Sequence, residues 1–106
     1  MAQTDFDALA GAALAQIEHA LEASGAEVDF ERKAGDMLEL EFADGSKIIV
    51  NRHGAAREIW VAARSGGFHF RWDGSAWRDT RSGAELFAAL AELVSAQSGR
   101  PVVLVR

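Results

Sequence analysis

Residues 38–51, with the sequence LELEFADGSKIIVN, carry the pattern that decides the fold. Apolar residues alternate with glutamates over residues 38–42, which is the two-residue period of a β-strand with one buried face. The Asp44-Gly45 pair that follows is typical of a two-residue type I′ turn, because both central positions of that turn need positive φ. An apolar, β-branched stretch comes next. The sequence therefore predicts an antiparallel hairpin here.

The length of the turn sets the register of this hairpin. A two-residue turn places Leu40 opposite Ile49 and Glu41 opposite Ile48. Ile49 is then expected to face the core together with Leu40, whereas Ile48 and Val50 are expected on the other face of the sheet.

Strand patterns continue on both sides of the hairpin. They lie at residues 28–31, 59–63 and 67–72 and around Trp77. Asp73-Gly74 is a turn signal between the last two patterns, and a two-residue turn there pairs Phe70 with Trp77 on the same face. These patterns predict a consecutive antiparallel sheet.

Helical periodicity appears near both ends of the chain. Apolar residues recur every three or four positions over residues 4–24 and again over residues 86–94. Gly25 and Gly99 follow as helix stops. Two helices with one apolar stripe each fit one face of a sheet. The prediction is an α+β fold, a two-layer α-β sandwich with an antiparallel sheet of about six strands, forming a single domain over residues 1–106.

The helix starts and the C-terminal segment are less regular. Thr4 with Asp7, and Ser82 with Glu85, have the spacing of a capping box. Residues 102–105 are apolar and β-branched, and the sequence leaves open whether they form an edge strand or a tail packed between the helices.

Composition removes several classes of function. The chain has no cysteine, so disulfides, thiolate metal sites and cysteine nucleophiles are excluded. Residues 1–46 hold eleven acidic residues against two basic ones, net −9, and residues 47–106 hold nine basic residues against five acidic ones, net +4. This polarity favours a cation or a basic partner over nucleic acid. No apolar run approaches the ~20 residues of a membrane span, and the first twenty residues lack Lys and Arg, so we expect a cytoplasmic protein without membrane contact.

Five carboxylates form a candidate cation-binding surface, which we name the acidic ridge. Two lie one turn apart on the first helix and three alternate along the next strand: Glu18, Glu22, Glu27, Asp29 and Glu31. Exposed carboxylates suit hard cations but bind them weakly, with water retained. An ordinary solvated surface explains the same residues about equally well. The helix macrodipole, however, disfavours anions near a helix C-terminus by roughly 0.3–1 kcal/mol each, which indicates a use for Glu18 and Glu22. His19 is a further candidate ligand, although an isolated surface histidine usually binds nothing.

Two further features concern the rest of the sheet. With Ile48 and Val50, Trp60 is expected on the face that the helices leave open, and so apolar a face suggests protein binding. The stretch 68–72, Phe-His-Phe-Arg-Trp, resembles a nucleic-acid stacking platform, but core aromatics explain it better. No positioned acid, base or nucleophile supports catalysis.

Three stretches together resemble the bacterial frataxins, and the similarity spans residues 6–99. They are residues 44–51, residues 58–62 with Trp60, and residues 65–70 continued by 77–83. The resemblance implies binding of ferrous and ferric iron on the acidic ridge, and docking on the cysteine desulfurase and the scaffold protein of iron-sulfur cluster assembly. By position, the partner-binding surface on the open face of the sheet would include Asn51, Arg52 and Trp60.

The sequence departs from this family at a few positions. Relatives usually carry acids where His19 and Ala23 stand, a more acidic connection at residues 24–26, and a proline in the loop at residues 54–56. Iron affinity is therefore expected to be weaker here.

The expected function is that of an iron-binding regulator of iron-sulfur cluster assembly that is not an enzyme. A ferroxidase that stores iron as an oligomer is one alternative, and a metal-independent protein-binding adaptor is another. A monomer is expected. The sequence leaves open whether iron induces oligomers and whether the protein activates or inhibits the desulfurase.

Overall fold

The computed structural model describes residues 1–106 and confirms the predicted fold class. Its elements are α1 (Gln3–Ser24), β1 (Asp29–Lys33), β2 (Met37–Glu41), β3 (Lys47–His53), β4 (Glu58–Ala63), β5 (Gly66–Trp72), β6 (Trp77–Asp79) and α2 (Leu86–Ser98). The six strands form one antiparallel sheet in sequential order.

Both helices cover the same face of this sheet. Their apolar stripes join alternate residues of the strands in one cluster of 21 buried apolar residues. Phe6 of α1, for example, meets Trp77 of β6 edge to face, with ring centroids 6.0 Å apart. Neither helix combines the length and the apolar character that a membrane span requires. The opposite face of the sheet, which we call the open face, carries no helix.

The turn between β2 and β3 differs from the prediction. Only Gly45 has positive φ, +85°, whereas a type I′ turn would need it at Asp44 as well. The Gly45 N–H donates to the Phe42 carbonyl, and the Phe42 N–H donates to the Ser46 carbonyl. The loop is therefore three residues long, a turn followed by a glycine in the left-handed region. Asp44 Oδ1 accepts hydrogen bonds from the backbone and the hydroxyl of Ser46, which fixes this shape.

One extra loop residue shifts the register and exchanges the two faces of β3. Leu40 pairs with Ile48, and Leu38 with Val50. Ile48 and Val50 are fully buried in the core, so their predicted place on the open face is wrong. Ile49 lies on the open face instead.

The second hairpin is also longer than predicted, but its faces are unchanged. Trp72 pairs with Trp77, and Phe70 with Asp79 rather than with Trp77. The Asp73 N–H donates to the Ala76 carbonyl, closing a four-residue loop. Because a shift of two residues preserves the side-chain alternation, Phe70 and Trp77 both remain in the core, as predicted.

Neither predicted capping box forms. Helix α1 begins before Thr4, its N-cap Ala2 offers no side-chain bond, and Asp7 instead accepts from Gln3 and Arg52 at 2.9 and 2.8 Å. Helix α2 is capped by Glu85, whose carboxylate accepts from the N–H groups of its first turn. The predicted glycine stops are confirmed, since Gly25 and Gly99 both adopt the left-handed conformation at the C-caps.

The C-terminal segment is a packed tail and not a strand. The Ser95 hydroxyl of α2 bonds the backbone N–H and carbonyl of Val102. Leu104 enters the core, and Val103 and Val105 remain 74% exposed. Arg106 borders a groove next to α1 residues. The tail thus extends the hydrophobic core alongside the helices.

Candidate functional site

The helical part of the acidic ridge consists of two unequal carboxylates. Glu18 forms a two-point ion pair with Arg32 of β1, with Glu18 Oε1 at 2.6 Å from Nη2 and 3.0 Å from Nε. Glu22 and His19 are exposed, and their side chains make no hydrogen bond or ion pair. Glu22 therefore carries a negative charge that no side chain neutralises. The ion pair of Glu18 with Arg32 helps to hold α1 against β1.

The β1 part of the ridge faces away from the helices. Asp29 and Glu31 are exposed and alternate along β1 as predicted. Glu27 is also exposed, but it lies in the bend before β1, so its predicted place on the strand is wrong, and it pairs with Arg100 at 3.5 Å. Asp29 and Glu31 lie on the open face, whereas Arg32 points to the helix side and meets Glu18. The ridge thus wraps around the exposed edge strand β1.

Two carboxylates of β2 extend the ridge and were not anticipated. Glu41 lies directly across from Asp29, and Glu39 directly across from Glu31. Like charges at directly opposed positions destabilise a strand pair. The ammonium groups of Lys47 and Lys33 lie 3.3 and 3.5 Å from the Glu39 carboxylate. They lower the pKa of Glu39, and the hydrogen bond from Lys47 is the largest cause. The alternation of residues 37–41 in the sequence already contained this signal.

The ridge is an open surface and not a cage. No three histidine, aspartate or glutamate side chains converge as a preformed metal-binding group. A surface depression of about 610 Å³ lies at one end of the ridge and is bordered by Glu27, Asp29 and Glu41. Such an arrangement suits hydrated cations that keep most of their water ligands.

Trp60 lies on the open face, as the sequence predicts. Its indole ring is stacked between two imidazoles, His53 of β3 and His69 of β5. The ring centroids are 3.7 and 4.4 Å apart and the planes are within 12° and 8° of parallel. We call these three residues the aromatic stack. The sequence does not relate the two histidines to each other, because only the pairing of β3 and β5 with β4 brings them to Trp60.

Glu58 holds one edge of the aromatic stack. Its Oε1 accepts from the indole Nε1–H of Trp60 at 2.8 Å, and its Oε2 accepts from Arg71 Nη2 at 2.6 Å. His69 Nδ1 lies 3.7 Å from Oε1. Burial raises the pKa of Glu58, but the bonds from Trp60 and Arg71 outweigh burial, so that the net pKa lies below the ordinary value. The carboxylate is therefore charged at neutral pH.

The other two predicted partner-binding residues lie on different faces. Asn51 is on the open face, directly across from Trp60. Arg52 pairs with Ile59 on the helix side, where its guanidinium contacts Asp7 at 2.8 Å and Asp36 at 3.6 Å. Its placement on the open face is wrong, since strand alternation sends it to the side opposite Asn51.

A shallow depression adjoins the aromatic stack. Its volume is about 210 Å³, and Ile49, Ala62 and Gly67 contribute to its lining. Ligand pockets usually exceed ~300 Å³. The depression therefore suits one protruding side chain of a protein better than a small-molecule ligand. The core interpretation of the neighbouring aromatic stretch 68–72 holds for Phe70, which is fully buried.

The fold and these two surfaces define a small two-layer α-β protein with an acidic edge and an open antiparallel face. Residues 1–100 match the frataxin-like domain family, and the chain belongs to that family.

Relatives and solved structures agree with this assignment. The iron-sulfur cluster assembly protein CyaY of Dechloromonas aromatica (strain RCB) is 62% identical over 104 residues, spanning 98% of this chain and 99% of the relative. The protein of the same name in Cupriavidus metallidurans is 51% identical over 107 residues, spanning 98% and 96%. The structure of frataxin from Psychromonas ingrahamii superposes with a TM-score of 0.91 at 32% identity over all of both chains. Trimeric yeast frataxin gives 0.66 at 25% identity, over 90% of this chain and 79% of the other.

Proposed function

We propose that this protein is a non-catalytic, iron-binding regulator of iron-sulfur cluster assembly in the bacterial cytoplasm. It binds Fe²⁺ and Fe³⁺ weakly on the acidic ridge and docks on the cysteine desulfurase through the same surface. The names of its relatives place them in iron-sulfur cluster assembly. The frataxin resemblance supplies the identity of the metal, because exposed carboxylates discriminate poorly among hard cations.

The observation that supports this proposal most strongly is the part of the ridge charge that no basic side chain neutralises. Glu22 lies in the last turn of α1, where the macrodipole opposes an anion, and no cation neutralises it. Asp29 and Glu31 lie opposite two further acids across the strand pair. Surface charges that oppose folding are expected where a cation or a basic partner binds them.

A double substitution, Glu18→Gln with Glu22→Gln, tests the ridge. Both changes keep the shape of the side chains and remove two charges. The matched control is Glu92→Gln, because Glu92 is an exposed, unpaired acid on α2 that is not part of the ridge. Iron binding is measured by anaerobic Fe²⁺ titration, and docking by titration with the purified desulfurase of the same bacterium.

The proposal predicts that the double variant weakens both equilibria and that the control changes neither. If the double variant binds the desulfurase as tightly as the wild type, the ridge is not the docking surface. If iron binding alone survives, the metal lies elsewhere on the protein.

A second role concerns the open face. We propose that Trp60 and its surroundings dock the iron-sulfur scaffold protein and need no metal for this contact. The exposed edge of the aromatic stack and the adjoining depression next to Ile49 support this role. The test is Trp60→Ala, which is expected to abolish scaffold binding, whereas a chelator is expected to leave that binding unchanged. Retained scaffold binding by the variant would contradict this role.

A further inference from the structure

Glu58 is an unusual residue for the open face of a sheet. Strand alternation sends Ile59 and Val61 into the core and Glu58 and Trp60 to the open face. Even so, the Glu58 side chain is only 7% exposed. Charged groups are seldom buried unless other groups pair with them. Its burial on a face without helices means that side chains of the face itself cover it.

The covering groups are those that the carboxylate binds. Each oxygen of Glu58 has its own donor, the indole N–H of Trp60 on Oε1 and the guanidinium of Arg71 on Oε2. His69 lies beside the first oxygen. The Arg71 side chain is itself 64% exposed, so the pair connects the buried carboxylate to the surface.

Three independent contacts restrict the indole of Trp60. His53 covers one of its faces, His69 covers the other, and Glu58 holds its nitrogen edge. His53 is itself fixed, because its Nδ1 accepts a hydrogen bond from the Ala56 N–H. A tryptophan side chain has only two rotatable bonds, and these contacts oppose rotation about both.

We propose that Glu58 is a positioning residue, which locks Trp60 between His53 and His69 so that the open face presents a rigid, preformed docking surface. This inference rests on the proposed role of the open face in binding the scaffold protein. Because both ring faces are covered, a protein partner contacts the edges of the aromatic stack. An aromatic side chain or a nucleobase cannot stack on Trp60 without displacing a histidine. Preorganisation of this kind raises affinity by lowering the ordering cost of association.

The experiment compares three variants of the full chain. Glu58→Leu removes both acceptors and leaves Arg71 free in solvent. Glu58→Gln keeps an oxygen acceptor for the indole N–H but removes the charge. Glu92→Leu is the control, since it makes the same chemical change on an exposed position of α2.

The first readout is taken on the free protein, by NMR of the Trp60 indole N–H and of the histidine ring protons. In Glu58→Leu, the indole resonance is expected to shift and its hydrogen exchange to accelerate. The ring-current shifts of His53 and His69 are expected to shrink, so that both approach the exposed His19, the internal reference. Glu58→Gln is expected to restore the indole resonance, and Glu92→Leu to leave all of these resonances unchanged.

The second readout is affinity for the purified scaffold protein, which is expected to fall at least ~5-fold in Glu58→Leu and to recover in Glu58→Gln. Unchanged indole and histidine resonances in a folded Glu58→Leu variant would overturn the inference. If the wild type does not bind the scaffold, the proposed role of the open face fails, and the NMR readout still decides whether Glu58 positions Trp60.

Discussion

The observed register of β2 and β3 predicts that alanine substitutions at two neighbouring isoleucines differ strongly in their cost to stability. Ile48 is fully buried, so Ile48→Ala deletes methyl and methylene groups from the core and leaves a cavity. Substitutions of this kind cost about 2–5 kcal/mol. For a domain of 106 residues this corresponds to about 10–20 °C in Tm. Ile49 is partly exposed on the open face, and Ile49→Ala is expected to cost about 1 kcal/mol or less.

The assay is urea unfolding at 25 °C followed by circular dichroism, with calorimetry for Tm. Function is expected to respond in the opposite way. Ile49 borders the depression beside Trp60, so Ile49→Ala weakens scaffold binding, whereas Ile48→Ala leaves the open face intact in the molecules that remain folded. A larger loss of stability for Ile49→Ala than for Ile48→Ala would refute this register and restore the two-residue turn that the sequence suggested.

Three other predictions concern charge and the tail. Glu22→Gln is expected to stabilise the protein by about 0.3–1 kcal/mol at low salt, because it removes an unpaired anion from the last turn of α1. The gain in stability should fade at high salt. Urea unfolding at both ionic strengths measures this gain, and a loss of stability in the variant would contradict the prediction. The backbone N–H groups of Ser75 and Ala76 lower the pKa of Asp73 to about 2. A carboxylate with a lowered pKa stabilises the fold at pH values above its ordinary pKa and ceases to do so as pH falls through 2. Asp73→Asn should therefore have a lower Tm than the wild type at neutral pH, and the two Tm values should converge between about pH 4 and 2. A difference in Tm that does not change with pH would show that the carboxylate charge is not the cause. Leu104→Ala should cost about 2 kcal/mol, and the control Val103→Ala less than ~0.5, because only Leu104 enters the core; equal costs in calorimetry would contradict the packed tail.

The fold class was predictable because local patterns agreed with one another. The alternation of residues 38–42 and the helical period of residues 4–24 both follow from which face is buried, and tertiary contacts do not change them. The glycines at the helix ends were equally informative, since Gly25 and Gly99 adopt the left-handed conformation that few other residues tolerate.

Turn lengths were not predictable from the turn residues alone. Asp-Gly occurs at both hairpins, yet it forms part of a three-residue loop at Gly45 and of a four-residue loop at Gly74. In both loops the aspartate accepts hydrogen bonds from the backbone two residues ahead, which stabilises a longer turn. One extra residue exchanges the faces of β3, and two extra residues do not exchange those of β6.

The candidate site was only partly predictable for a related reason. The five ridge carboxylates and Trp60 could be found because they lie on local patterns. His53, Glu58 and His69 belong to three strands, and their relation depends on the pairing of β3 with β4 and of β4 with β5. The registers of these two strand pairs would have been enough to place both histidines next to Trp60. The burial of Glu58 can be recognised only when the positions of the side chains around it are known.

Iron binding on the acidic ridge is best tested by an anaerobic Fe²⁺ titration of the ¹⁵N-labelled protein. We expect selective broadening or shifts, at low equivalents of iron, of the resonances of Glu18, Glu22, Glu27, Asp29 and Glu31, with those of Glu39 and Glu41 affected next. Residues around Trp60 on the open face should remain unchanged. Unchanged ridge resonances at several equivalents of iron, or changes confined to the histidines beside Trp60, would show that iron does not bind the ridge.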